Sequence, residues 1–383
     1  MDVYLDNSST TFPKPKQVID GMYNYMLNVG GNAGRGNYTN TLQSNRFLYE
    51  AREIVSDFFG FSSPSNVIFT NNVTTSLNML IKGLIKQGDH VLTSSMEHNS
   101  VLRPLINCKE LLNINLDIID ADESGFINVS DFRSKITSDT KLVVLTQASN
   151  VTGSIQNIAE VGKICKEKNV FFIVDSSQGA GVLELNINSV NANAIAFTGH
   201  KSLLGPQGIG GFIIDDKLND SCKSILHGGT GSLSYYLDQP DFLPDKFECG
   251  THNMPGIVGL SEGIKFINST GLKTIYEHNH YLINYLLDGL QNIKDIIIYG
   301  DSTGKNITTC ISINMKSLDS SELGYLLENS GIKTRCGLHC APLAHKTIGS
   351  YPSGTVRLSV SYFNKKEEID FTLKTLNKIS LNK

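Results

Sequence analysis

Short apolar runs punctuate the first two-thirds of the chain: Val67-Ile68-Phe69, His90-Val91-Leu92-Thr93, Leu142-Val143-Val144-Leu145, Phe171-Phe172-Ile173-Val174 and Ala194-Ile195-Ala196-Phe197. Their apolar character is largely continuous rather than alternating, which predicts strands covered on both faces. Between them lie stretches with helical spacing, among them Leu77 to Leu84 and Ile158 to Lys168. Strand and helix in alternation predict an α/β domain around a mostly parallel sheet. Gly210-Gly211-Phe212-Ile213-Ile214-Asp215 reads as a further strand. A turn leads into it instead of a helix, so it is expected to run antiparallel to the rest.

The texture changes after about Gly256. One long helical pattern runs through Ile264, Tyr276 and Leu286, followed by the strand-like Ile296 to Tyr299 and Cys310 to Ile313. A helical Leu323 to Asn329, a strand-like Val356 to Val360 and a closing amphipathic helix complete a smaller α+β lobe. The expected division is a large domain over residues 1–255 and a small C-terminal one over 256–383, with the extreme N-terminus packing on the small one.

Composition adds bounds. The 383 residues are 40% hydrophobic and 18% charged, as in a globular protein, and allow two domains. A net charge of −4 gives no general attraction to nucleic acid or anionic lipid. No run approaches the roughly 18 apolar residues of a membrane span, and the acidic start is unlike a signal peptide. Seven scattered cysteines are too few for a disulfide framework, so a reduced, cytoplasmic protein is expected.

In open α/β sheets ligands sit beyond the carboxyl ends of the strands, so the residues just after each strand matter most. The first run leads into Asn72-Val73-Thr74-Thr75 and a helix, and the second into Glu97-His98-Asn99. Ser149-Asn150 comes after the third, and the fourth ends in Asp175 with Gln178 close behind. The fifth ends in Thr198-Gly199-His200-Lys201. Singly, each has a plainer reading: hydroxyls before a helix are caps, a lone histidine is structural, and a lysine is a solvated surface charge. Five strand ends with compatible chemistry are another matter.

Together they suit pyridoxal phosphate (PLP). A phosphate is taken by N–H groups and hydroxyls at a helix N-terminus, here Val73, Thr74 and Thr75. A protonated pyridine nitrogen needs a buried carboxylate such as Asp175, and the aldehyde needs an amine such as Lys201. His98 can stack on the ring, while Asn150 and Gln178 can bond its hydroxyl.

The same residues carry a resemblance. Tyr4-Leu5-Asp6-Asn7-Ser8-Ser9-Thr10-Thr11, Glu97-His98, Ser149-Asn150-Val151-Thr152-Gly153, Val174-Asp175-Ser176-Ser177-Gln178 and Thr198-Gly199-His200-Lys201 occur in the same order as in class V aminotransferases. Arg335-Cys336-Gly337-Leu338-His339-Cys340-Ala341 resembles the Arg-x-Gly-x-His-Cys-Ala loop of cysteine desulfurases with a short catalytic loop, selenocysteine-lyase-like members included.

That resemblance implies a fold type I PLP-dependent transferase, with a mostly parallel mixed sheet and a smaller C-terminal α+β domain. It implies that Lys201 carries PLP as a Schiff base, Asp175 pairs with the pyridine nitrogen and His98 stacks on the ring. Asn150 and Gln178 would bond the ring hydroxyl; Thr74, Thr198 and His200 would lie at the cofactor, and Arg357, with Asn150, would hold the substrate carboxylate. Cys340 would be the nucleophile that takes sulfur from L-cysteine, or from its selenium analogue L-selenocysteine, and hands it to an acceptor protein. Phe247 to Thr251 resembles a segment reaching the neighbouring subunit's phosphate, so a homodimer with Thr251 at the partner's cofactor is implied. Asn72-Val73 and Asn99-Ser100 depart from the family pattern.

Other readings stay open beside this one: another class V reaction, such as transamination or selenocysteine cleavage, or a non-catalytic scaffold. Cys336 and Cys340 lack the spacing of a zinc site, so no metal is expected. Between the two thiols, the His339 imidazole beside Cys340 can favour or receive the thiol proton. Arg335 stands beside Cys336 and could activate it instead.

Overall fold

A computed structural model describes residues 1–34, 36 and 38–382. The chain opens with β1 (Val3–Tyr4) and helices α1 (Lys16–Asn28) and α2 (Thr39–Phe58). Then come β2 (Val67–Thr70), α3 (Val73–Leu84), β3 (His90–Ser94), α4 (Asn99–Leu112), β4 (Asn115–Ile119) and α5 (Val129–Lys135). Next are β5 (Thr140–Thr146), α6 (Ile158–Glu167), β6 (Phe171–Asp175), β7 (Ala194–Thr198), β8 (Gly210–Ile214) and α7 (Asp216–Ser221). α8 (Met254–Thr270) and α9 (Leu272–Leu290) lead into β9 (Ile296–Tyr299), β10 (Cys310–Met315), α10 (Ser320–Asn329), β11 (Ile332–Lys333) and β12 (Arg335–Gly337). α11 (Pro342–Thr347), β13 (Thr355–Ser359) and α12 (Lys366–Leu381) close the chain.

β2 to β8 form one seven-stranded sheet in the order β2-β8-β7-β6-β5-β3-β4. β8 alone runs against its neighbours, as its turn connection predicts. β3, β6, β7 and β8 are buried at every residue, which explains their unbroken apolar runs. Two apolar cores cover the two faces, one holding Val143, Phe172 and Phe197, the other Val144, Ile173 and Phe212. Gly211 lets β8 approach β2 closely; a Cβ there would lie 2.4 Å from the Ile68 carbonyl oxygen.

The second sheet is antiparallel, β12-β13-β10-β9, and β1 pairs in parallel with β11 beside it. Core membership crosses the expected division at residue 255 in both directions. Val3 and Leu5 belong to the small lobe's core, while Ile257, Leu260 and Ile264 of α8 belong to the large sheet's. The single long helix expected through Leu286 is two helices. Gly271, at φ 90°, caps α8 and starts α9 at a backbone angle that other residues resist. No helix among the described residues is long and apolar enough to cross a membrane.

Candidate active site

The carboxyl ends of the parallel strands converge, with the small lobe's β12 and β13, on a cavity of about 220 Å3. Val73, Thr74, His98, Asn150, Asp175, Gln178, Thr198, His200, Lys201 and Arg357 line it. Thr75 and Thr251 do not; they line a neighbouring cleft together, and Cys340 stands in an outer groove.

Asp175 ends β6 and is buried; its Oδ1 accepts from the backbone N–H of Ser177 at 2.9 Å and from the Ser177 hydroxyl. Burial pushes its pKa up, and the two Ser177 bonds and the Lys201 charge pull against that. Burial brings Lys201 down to about 8, despite the opposing pull of Asp175; the Arg357 and Arg335 charges push the same way as burial. A lysine so placed has a usable fraction of neutral amine near neutral pH.

His98 caps α4: its Nδ1 accepts the Ser100 N–H at 3.0 Å and meets the Ser100 hydroxyl at 2.8 Å. Burial, then the charges of Lys201 and three arginines, lower its pKa to about 3, so the ring is neutral with its proton on Nε2. The Ser100 hydroxyl continues to Thr74 Oγ1 at 2.7 Å. Ser100 is one of the departures in the sequence; here it joins the histidine to the phosphate-loop threonine. At the start of α3, Asn72 Oδ1 accepts the Thr75 N–H at 3.0 Å. The cap uses one of the donors assigned to phosphate and leaves Val73 and Thr74 facing the cavity.

On the small-lobe side Arg357 is fully buried. Its Nη1 donates to the Asn150 carbonyl at 3.0 Å, and its Nη2 to Asp6 Oδ1 at 2.9 Å and Ser9 Oγ at 2.8 Å. Ser9 also accepts from Arg335 Nη1 at 3.3 Å, and the other arm of Arg335 reaches Cys340 Sγ at 3.4 Å. Two expectations about the loop change here. Arg335 serves Cys340 and not Cys336, because alternation along β12 turns Cys336 to the opposite face, where its sulfur fills the space beside Gly324. Burial raises the Cys336 thiol pKa. The His339 imidazole turns inward, away from Cys340. Its Nε2 meets Thr355 Oγ1 at 3.0 Å, and burial, then Arg357, holds its pKa at about 2. Thr355 gives its own proton to Ser312, so His339 is the donor in that contact.

His339 and Cys340 are consecutive non-glycine residues in the left-handed region, at φ 46° and 59°. Each costs about 1 kcal/mol or more and persists only where surroundings fix it. Both carbonyls are tied to the large domain: Asn150 Nδ2 donates to the His339 carbonyl at 2.7 Å and the N–H of Asn99, the first residue of α4, to the Cys340 carbonyl at 2.8 Å. The resemblance assigns Asn150 to the cofactor hydroxyl; the structure shows its amide on the His339–Cys340 loop. Cys340 itself is exposed.

Sequence reasoning gave no role to Ser177, Ser100, Ser9 or Glu97. Glu97 is buried under the site, its Oε1 accepting from Ser94 Oγ at 2.6 Å and the Thr146 N–H at 3.0 Å. Burial raises its pKa to about 8. Its place directly before His98 is the signal that could have marked it.

A family model described as aminotransferase class-V matches residues 3–371. A probable cysteine desulfurase of Methanothermobacter thermautotrophicus is 34% identical, over 99% of this chain and 94% of that protein. One from Pyrococcus abyssi is 32% identical, over 98% of this chain and 94% of that protein. The apo structure of the cysteine desulfurase from Thermococcus onnurineus NA1 superposes with a TM-score of 0.93 at 33% identity, covering 100% of this chain and 95% of that one.

PLP is the cofactor of this family, and the donor set fits it. Among the described residues, Thr198 Oγ1 and His200 Nδ1 are buried polar atoms without hydrogen-bond partners, and they line the cavity with the α3 N-terminus, as a phosphate site requires. Asp175 and Lys201 supply the carboxylate and the amine. With its fold, its cavity and its relatives in agreement, the chain belongs to the class-V aminotransferases, among the cysteine desulfurases.

Proposed function

We propose that this protein is a PLP-dependent cysteine desulfurase that moves the sulfur of L-cysteine onto Cys340 and releases L-alanine. One observation carries the assignment of parts: the cavity holding Lys201, Asp175 and His98 shares Thr74, His98 and Ser100 with the outer groove in which Cys340 stands. An amine and a thiol thus face one substrate from two sides.

Val73, Thr74, Thr198 and His200 would hold the phosphate, Asp175 the protonated ring nitrogen, and His98 one ring face. Gln178, whose Nε2 donates to the Ser8 carbonyl at 3.1 Å, would stand by the ring hydroxyl. When bound, PLP supplies an aldehyde for amines and a ring that withdraws electrons from the substrate α-carbon. The chain does the rest. Arg357 presents a fixed cation to the substrate carboxylate, with Arg335 beside it. Lys201, its amine neutral in part near neutral pH, takes the α-proton. Cys340 attacks the substrate sulfur: the S–S bond forms, the C–S bond breaks, and the three-carbon remainder is protonated and leaves as alanine.

The reading includes a homodimer with Thr251 at the partner's phosphate. Support comes from the exposed apolar Ile19, Tyr23, Met26 and Leu27 of α1, and from the exposed Tyr235, Tyr236 and Leu237 in the stretch of chain between α7 and α8 that also carries Thr251. The buried Glu248, held by both arms of Arg52 and by His252, fixes that segment's base. A reduced, cytoplasmic setting belongs to the same reading; all seven cysteines are free. The decisive experiment records the absorbance spectrum of the PLP-loaded protein before and after L-cysteine and assays alanine. A spectral change with alanine formation is expected; an unchanged spectrum, or keto acid in place of alanine, would refute the assignment. A fully active, PLP-loaded monomer by light scattering would refute the dimer.

A further inference from the structure

The groove outside the cofactor cavity carries charge that the desulfuration step leaves unused. It encloses about 530 Å3, with Lys82 of α3 and Arg103 of α4 in its walls and Asn78, Asn99 and Asn107 around them. Among the described residues no carboxylate lines it. Neither cation forms an ion pair among the described residues. Arg335 adds a third positive group at the Cys340 sulfur. The amino-acid substrate does not neutralise this charge, since its one carboxylate belongs at Arg357 inside.

Unpaired cations around an exposed nucleophile raise the local concentration of anions and select among partners by sign. Resting on the desulfurase reading of Cys340, we infer that this groove receives an acceptor protein whose accepting cysteine lies between acidic side chains. The acceptor thiolate attacks the outer sulfur of the Cys340 persulfide. A new S–S bond forms on the acceptor, the S–S bond at Cys340 breaks, and its electron pair returns to Sγ. The proton lost by the acceptor thiol balances the one Cys340 regains, and no external oxidant or reductant takes part. Neither Lys82 nor Arg103 lines the cofactor cavity, and both stand on the approach of the acceptor.

The test uses the PLP-loaded enzyme, given L-cysteine in a single turnover, freed of excess substrate and mixed with one of three blocked tripeptides: Asp-Cys-Asp, Ser-Cys-Ser or Lys-Cys-Lys. Mass spectrometry tracks loss of the extra sulfur from Cys340, with each rate divided by that peptide's thiolate fraction. At low salt the acidic peptide is expected to react about tenfold faster than the basic one, and about 0.5 M salt should abolish most of the difference. Lys82→Glu/Arg103→Glu reverses the order. Lys82→Gln/Arg103→Gln removes the preference without reversing it, and keeps the test alive if charge reversal unfolds the protein. Both variants form alanine in the loading step at the wild-type rate. Equal rates for the three peptides in the wild type, or an unaltered preference in the glutamine variant, would overturn the inference. Absence of persulfide and alanine in the loading step would instead strike down the desulfurase reading, and the inference with it.

Discussion

The side-chain amide of Asn150 holds the carbonyl of His339 at 2.7 Å, and the backbone carbonyl of the same asparagine holds Arg357 at 3.0 Å. One residue thereby ties down both the loop of Cys340, the proposed nucleophile, and Arg357, the proposed carboxylate ligand. The two functions are separable, since one uses the side chain and the other the backbone.

Asn150→Asp tests this separation. A carboxylate cannot donate to the His339 carbonyl, so the left-handed His339–Cys340 pair loses one of its two ties. Persulfide formation in a single turnover is expected to fall about ten- to hundredfold, the scale of a buried hydrogen bond left unmade. KM for cysteine should change much less. Hydrogen exchange at the Asn99 amide, bonded to the Cys340 carbonyl, should quicken; unchanged exchange there would refute the tether.

Asp175→Asn removes the charge opposite the amine of Lys201. The variant should keep much of its PLP, because the phosphate side is untouched, yet lose activity at least about tenfold, and up to about a thousandfold. Near-normal turnover with full cofactor occupancy would show that the ring nitrogen lies elsewhere.

Cys340→Ser should stop sulfur release while the spectral response to cysteine survives. Cys336→Ser should leave turnover within about twofold, because its side chain packs against α10 on the far face of β12. Peptide mapping after brief exposure to cysteine checks both. Sulfur found on Cys336 would contradict the strand geometry.

Glu97 makes stability depend on pH. Its pKa rises from about 4.5 unfolded to about 8 folded, so the folded state binds the extra proton between those values. Stability is therefore greatest below the unfolded pKa and falls as pH climbs through 8. Glu97→Gln keeps an acceptor for Ser94 and Thr146 and removes the titration. Between pH 5 and pH 8 its Tm should drop less than the wild type's, by at least about 3 °C. Parallel curves for the two proteins would mean that Glu97 ionises freely in the fold.

The strand ends were legible in the sequence because each is a local event: an apolar run, then a polar residue with nowhere to go but the cavity. Lys201, Asp175 and His98 belong to that class. The second ring of contacts was not legible, since it joins positions far apart. Ser9 meets Arg335 and Arg357, Asn150 meets His339, and no spacing rule links such pairs. β4 was missed because it is an edge strand with mixed, half-exposed residues. The break between α8 and α9 could have been read from Gly271, a left-handed stop inside an otherwise unbroken helical pattern.

The pairing of β1 with β11 has a consequence for biosynthesis. Val3 leaves the ribosome long before Ile332, its partner in the small sheet, and so do Ser8 and Ser9, which meet Ser359, Arg357 and Arg335. The N-terminal segment cannot make these native contacts until the small lobe has been synthesised. A nascent chain can thus bring together the strand ends of the large sheet early but cannot complete the wall that holds Arg335 and Arg357. The cavity that Arg357 lines is therefore complete only after translation of β13, the last strand.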